Sequence, residues 1–272
     1  MVMDERQVSP QAVGTPLALV ALDIDGTLLG RDMVIPAVTI EAVMRVRAAG
    51  HHVVLASGRS LVGILPVARL LGIDRGWVVA SNGAVVARVS QELPGGYALV
   101  DVRTFDVEPV VRLVRAAMPG VLIGVEEIGW GYRVTERFAD GLVNGEQRVV
   151  RDEGLWGMPV SRAILRGDGV LDLLGPLRSL GVTATPAGPD WIDVTPVHLS
   201  KATVLERVRV LLGVEAARTV AVGDGVNDLE MIAWSARGVA MGHAPAAVRD
   251  AADEVTGTID EHGVVSVLHS LL

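Results

Sequence analysis

Cysteine is absent from the 272 residues, which excludes disulfides, thiolate nucleophiles and thiolate metal ligands. Aromatic residues make up only 3%, so the core must be built from Val, Leu, Ala and Ile. Long apolar runs are missing too. Leu17 to Leu22 is the longest near the start, far too short to cross a bilayer. Positive charge is in deficit: the net charge of −8 argues against wrapping a nucleic-acid backbone or lying on an anionic membrane. A small anionic ligand remains compatible if one local site is positive. The scarcest functional residue is lysine. Of 24 basic residues 23 are arginine, and the single lysine is Lys201.

What is present reads as a globular chain, half hydrophobic and 21% charged. The opening segment MVMDERQVSPQAVGTP carries early acids and no long apolar stretch. It is expected to be a frayed tail on a cytoplasmic protein. The apolar runs Leu17–Leu22, His52–Ala56 and Trp77–Ala80 read as buried strands, separated by helical spacing over Pro36–Ala49 and Leu61–Leu71. Strand, helix, strand, helix, strand is the grammar of a parallel sheet with helices on its faces. After Asn82-Gly83 the rhythm becomes hairpin-like, with helices expected over 108–118 and 170–180. The parallel grammar returns with a helix over Lys201–Leu212, a buried strand over Thr219–Val222 and a helix from Asp228. The expected fold is α/β, with one sheet domain (1–84 and 190–272) split by an inserted α+β domain (85–189).

Four clusters sit at strand tips or the loops beside them. Asp23-Ile24-Asp25-Gly26-Thr27 ends the first strand, where ligands of open α/β sheets bind. Two carboxylates this close repel unless a cation lies between them, and magnesium suits an oxygen-rich place. Asp23 could then serve as a nucleophile and Asp25 as proton donor and acceptor. An ordinary strand-to-turn junction has the same composition. Ser57-Gly58-Arg59 offers a hydroxyl and backbone amides to phosphate oxygens, or simply a helix cap by Ser57. Lys201 would be a solvated surface residue in most chains. Here arginine is used wherever arginine will serve, so a compact ammonium at this one position points to function. Gly223-Asp224-Gly225-Val226-Asn227-Asp228 places Asp224 to complete a magnesium site, Asn227 to donate to phosphate and Asp228 to hold Lys201. A glycine-rich turn closed by Asp228 is the plainer alternative. A calcium loop is a poor rival, because the acids are not spaced as in a helix-loop-helix hand and they follow apolar strands.

In order, ALDIDGTLL, ASGRS, SNGA, WIDVTP…SK and VGDGVNDLEMI resemble the haloacid-dehalogenase superfamily, and more narrowly its Cof-type phosphatases. The resemblance implies a Rossmann-like core with a C2-type cap inserted between the second and third motifs. It implies Asp23 as nucleophile and Asp25 as general acid/base. Asp23, the Asp25 backbone carbonyl and Asp224 would be the Mg2+ ligands. Ser57, Gly58, Lys201 and Asn227 would bind phosphate, with Thr27 and Asp228 supporting. Asn82-Gly83 would be where the chain leaves for the cap; a plain turn is equally acceptable. The expected function is a magnesium-dependent phosphatase acting on small phosphorylated metabolites through an aspartyl-phosphate, as a monomer or weak dimer, without nucleic-acid or membrane partners. A phosphomutase or other phosphotransferase, or a non-catalytic phosphometabolite sensor, are the rivals; release of free phosphate separates them from the expected activity. His243 stands where these proteins usually carry asparagine, and reads as a loop histidine or a titrating neighbour of the site. Trp130, Tyr132 and Trp156 are cap aromatics that either meet substrate or pack the core.

Overall fold

The computed structural model describes residues 17–30 and 32–272. The expected frayed tail over 1–16 lies outside the described residues. The chain runs β1 (Leu19–Leu22), α1 (Ala37–Ala48), β2 (His52–Ala56), α2 (Leu61–Leu70), β3 (Arg75–Ala80), β4 (Val85–Ser90) and β5 (Tyr97–Val102). It continues through α3 (Glu108–Ala117), β6 (Leu122–Glu127), β7 (Gly131–Val134), β8 (Glu146–Val149), β9 (Ala163–Arg166), α4 (Leu174–Arg178), β10 (Val182–Gly188) and β11 (Trp191–Pro196). The last segment is α5 (Lys201–Leu212), β12 (Thr219–Gly223), α6 (Leu229–Trp234), β13 (Arg237–Ala240), α7 (Ala246–Asp250), β14 (Glu254–Val255) and α8 (Gly263–His269).

Two sheets result. The first has eight strands in the order β14-β13-β12-β1-β2-β3-β4-β5, parallel from β14 to β3 and antiparallel beyond. Its strands are apolar on both faces because helices cover both. Val20, Leu22, Val53 and Leu55 pack on α1, α2 and α8, while Leu19, Ala21, Val54 and Ala56 pack on α5 and α6. Strand order reverses at β1, which pairs with β2 on one side and β12 on the other. That switch point opens a crevice at the strands' carboxyl ends, where Asp23 and Asp224 emerge.

The second sheet has six strands in the order β10-β11-β9-β6-β7-β8, all antiparallel except the β7–β8 pair. Ile123, Val125, Ala163, Leu165, Ile192 and Val194 turn one face toward α3 and α4. By strand alternation the other face carries Glu126, Tyr132, Arg162, Trp191 and Asp193. The α/β core and the inserted α+β unit are as expected.

Sheet membership differs from the boundaries 85–189 drawn from sequence. β4 and β5 extend the first sheet, hydrogen-bonded in sequence to β3, and β11, which lies within the span 190–272 expected for the core, belongs to the second sheet. The chain therefore turns back at Ser81–Gly83 onto β3 rather than leaving for the insert there. A hairpin on the edge of one sheet and a hairpin opening another have the same alternating pattern, so sequence does not separate them. The helix expected over 170–180 is split into a 3₁₀ turn, Val170–Leu173, and α4. Three elements have no counterpart in the sequence reading: the polar edge strand β8, the two-residue β14, and α8, whose apolar run is too short to show a period.

Candidate active site

Asp23 follows β1, its backbone N–H donating to the Val222 carbonyl at 3.0 Å, so the first sheet's ladder itself holds it. Gly26 turns the chain with φ +86°. A Cβ there would lie 2.2 Å from Asp224 Oδ2, so glycine also admits the neighbouring loop. Thr27 donates its hydroxyl to Asp224 Oδ1 at 3.4 Å. Lys201 is the first residue of α5, whose start is fixed by a reciprocal cap between Ser200 and Thr203. Its ammonium is fully buried and donates to Asp23 Oδ1 and Asp228 Oδ1, both at 2.6 Å. The other oxygen of Asp228 accepts from the backbone N–H groups of Asp224 and Gly225 at 3.0 and 2.9 Å. Asp228 therefore both closes the glycine-rich turn and holds Lys201.

Ser57 is buried and accepts from the Arg59 N–H at 3.2 Å, a local turn. It does not cap α2, whose N-cap position is Ser60. Gly58 packs against Asn82 and Asp193, and Asn227 donates to Asn82 Oδ1 at 3.0 Å. Asp25 is exposed, and its carboxylate is gripped by Arg59 through Nε at 2.8 Å and Nη2 at 2.6 Å. Asp23, Asp25, Ser57, Gly58, Asp224 and Asn227 all line one cavity of about 560 Å³ between the sheets. Lys201 lies behind Asp23, and Thr27 and Asp228 behind Asp224.

The electrostatics call for a cation. Asp23, Asp224 and Asp228 each present a carboxylate oxygen within 4.8 Å of the others, against one ammonium. Burial, then the charge of Asp228, pushes the Asp23 carboxyl well above its usual range, with Lys201 opposing. The same two causes push Asp224 up to about 6. Burial alone would lower the Lys201 ammonium, but Asp228 and Asp23 outweigh it and hold it above its usual value. Asp228 has both oxygens committed to Lys201 and the turn, whereas Lys201 takes only Oδ1 of Asp23 and Thr27 only Oδ1 of Asp224, so the Oδ2 atoms of these two are the ligand atoms on offer. An all-oxygen set with excess negative charge fits a hard divalent ion such as Mg2+.

His243 stands at this edge, Nε2 3.6 Å from Asp224 Oδ2, while Nδ1 accepts from the Ile259 N–H at 3.3 Å. Of the aromatic candidates, Tyr132 is buried against Arg162, Trp130 lies under Arg148 and Trp156 under Arg112; none lines the cavity. The aromatic that does is Trp191, joined by Arg59, Asn82, Arg162 and Asp193; Arg59, Asn82, Trp191 and Asp193 stand in the motifs read from the sequence without a site role there, and Arg162 stands in none of them. Alternation on β11 carried the signal, with Trp191 and Asp193 opposite the buried Ile192 and Val194.

A family model for haloacid dehalogenase-like hydrolases matches residues 20–113 and 174–268. The chain belongs to that family. Within it, the Cof-type resemblance holds, and the chain is a phosphoric monoester hydrolase. A Bacillus subtilis relative, 5-amino-6-(5-phospho-D-ribitylamino)uracil phosphatase YcsE, is 26% identical, covering 96% of this chain and 98% of its own. A phosphoglycolate phosphatase from Natronomonas pharaonis is 29% identical over 93% and 96%. The crystal structure of a haloacid dehalogenase-like hydrolase from Bacteroides thetaiotaomicron superposes with a TM-score of 0.78 at 26% identity, covering 94% of this chain and all of that one. Among the described residues of this hydrolase, no helix is long and apolar enough to cross a membrane.

Proposed function

We propose that the chain is a magnesium-dependent phosphatase for small phosphorylated metabolites, working through an aspartyl-phosphate on Asp23. The observation that carries this reading is the convergence of Asp23, Asp224 and Asp228 within 4.8 Å of one another at the strand switch point, with Lys201 bonded to Asp23 and Asp228, and with Asp23 and Asp224 lining a cavity of small-molecule size. Asp23 Oδ1 is held by Lys201 at 2.6 Å, which orients the carboxylate for in-line attack on phosphorus. Ser57, the amides around Gly58 and the Asn227 side chain line the place of the transferring phosphoryl group and stabilise its charge, to which Lys201 adds positive charge from behind Asp23. Asp23, the Asp25 carbonyl and Asp224 would hold Mg2+, which supplies charge neutralisation on the phosphoryl oxygens.

Asp25 is exposed and lines the cavity. It protonates the departing alcohol oxygen as the P–O bond breaks, then takes a proton from the water that hydrolyses the acyl phosphate. Its present partner, Arg59, must give way for that proton transfer. The second sheet covers the cavity and limits water's access during the first step.

The test is phosphate release across a panel of sugar phosphates, nucleotides and other phosphate esters, with and without Mg2+. Asp23→Asn is expected to keep the fold, by circular dichroism and melting, and to lose at least 10³-fold in turnover, as expected when an attacking group is removed. Retained turnover in that variant would remove Asp23 from its role. Phosphorus kept in an isomerised product, with no free phosphate, would point to a mutase.

A further inference from the structure

A chain of hydrogen bonds crosses from the second sheet to the expected phosphate site. Asp193 on β11 is 3% exposed. Its Oδ1 accepts from Arg162 Nη2 at 2.7 Å and Trp191 Nε1 at 3.0 Å, and its Oδ2 accepts from Asn82 Nδ2 at 3.0 Å. Asn82 Oδ1 in turn accepts from Asn227 Nδ2 at 3.0 Å. The direction of this chain is fixed by its far end. A guanidinium can only donate and an ionised carboxylate can only accept. Asn82 must therefore give its amino group to Asp193 and turn its carbonyl to Asn227, and Asn227 must answer with its amino group.

Two further observations bear on the same chain. Ser81 and Asn82 both have φ of 53°, adjacent non-glycine residues in the left-handed region. Each is tied to the second sheet, Ser81 by its hydroxyl to Glu126 and Asn82 by its amide to Asp193. Gly58 abuts the chain as well: a Cβ there would lie 3.2 Å from Asn82 Oδ1 and 3.5 Å from Asp193 Oδ2. The loop beside Ser57 is thus seated on the same side chains.

We propose that Asp193 is a positioning residue: acting through Asn82, it sets which edge of the Asn227 amide faces the substrate's phosphate, so that the phosphate site is complete only with the second sheet docked on the first. This rests on the proposed function, because it takes Asn227 to touch phosphate. With Asp193 replaced by asparagine, its carbonyl stays with Arg162 and Trp191, and its amino group meets Asn82. Asn82 then reverses, and Asn227 turns its amino group out of its present position. Nothing needs to move at Asp23, Asp224 or Lys201.

The test is a double-mutant cycle between two residues that do not touch, Asp193 and Asn227, read as the affinity for inorganic phosphate by calorimetry in Mg2+ buffer and as KM for p-nitrophenyl phosphate. D193N and N227A are each expected to weaken phosphate about tenfold, the worth of one hydrogen bond to a charged group. The double variant is expected to bind no more weakly than N227A alone, because the asparagine through which Asp193 acts is already gone. Multiplied effects, near a hundredfold, or wild-type phosphate affinity in D193N, would overturn the proposal. Asn82→Ala leaves the Arg162–Asp193 pair intact and serves where D193N melts early. It must show the same loss and the same non-additivity with N227A, and wild-type phosphate affinity in it overturns the proposal equally. A wild-type protein that neither binds phosphate nor releases it sinks the functional reading and this inference together. A competent wild type with indifferent D193N and N82A sinks this inference alone.

Discussion

Lys201 lies between two carboxylates with none of its side chain exposed. Burying an ammonium is costly unless it is paired, and removing one partner of a buried pair costs about 3–5 kcal/mol. Lys201→Met is expected to abolish turnover and to lower stability by about that amount, since Asp23 and Asp228 would face each other uncompensated. Lys201→Arg is not expected to rescue it. The planar fork of arginine cannot place one nitrogen 2.6 Å from two carboxylates inside a pocket shaped for an ammonium. Urea unfolding and steady-state kinetics of the two variants check both statements. Activity retained in Lys201→Arg would contradict this account of the chain's single lysine.

The turns after β1 and β12 meet face to face, and their glycines are set by that meeting. At Gly26 the positive φ costs a side chain about 1–2 kcal/mol. The larger obstacle is Asp224 Oδ2, 2.2 Å from where a Cβ would stand. Gly26→Ala is expected to push Asp224 aside and weaken Mg2+ binding at least tenfold by calorimetry, with a modest drop in melting temperature. Undisturbed Mg2+ affinity would show that Asp224 is not a ligand. The start of α5 is a second case of an element serving the site. The reciprocal cap at Ser200 and Thr203 fixes the first turn, and the first residue of that turn is Lys201. α2 has no comparable side-chain cap, and its first backbone N–H, that of Leu61, goes instead to Glu126 of the second sheet at 3.4 Å.

The two sheets are joined across the cavity by a small set of polar contacts. Glu126 accepts from Ser81 and Ser161 and from Leu61 N–H, while Asn144 packs against Gly63 of α2. Burial pushes the Glu126 carboxyl above its usual range, against its hydrogen bonds to Ser81 and its attraction to Arg162. The folded state therefore holds this proton more tightly than the unfolded chain. That contribution to stability is full below the ordinary value of about 4.3 and declines as pH rises through the elevated folded value. Glu126→Gln cannot ionise, so its melting temperature is expected to fall less steeply than the wild type's over that range. Parallel melting profiles of the two proteins would remove Glu126 as a source of the slope.

Much of the architecture is local chemistry and could be read along the chain. β2 and α5 fall at the expected residues because an apolar run and a capped helical period each define their own limits. The clusters at Asp23, Ser57, Lys201 and Asp224 stood out because acids, glycines and a lone lysine sat next to apolar strands. Pairing is different. Nothing in 85–102 states that β4 and β5 return to β3, because alternation fixes which side chains share a face but not which sheet receives them. The same reason hid the meeting of Arg162, Asp193 and Asn82: Asn82 and Asp193 stand in motifs legible in the sequence, SNGA and WIDVTP, but in separate segments that give no sign of touching. Only when the second sheet's polar face is laid over the strand ends do they form one hydrogen-bonded chain. Sequence by itself determined the chemical groups and the strands that carry them. Tertiary structure decided which groups meet, because hydrogen bonds and ion pairs act over about 3 Å, while the side chains that make them at the site are as far apart in sequence as Thr27 and Asp224, 197 positions.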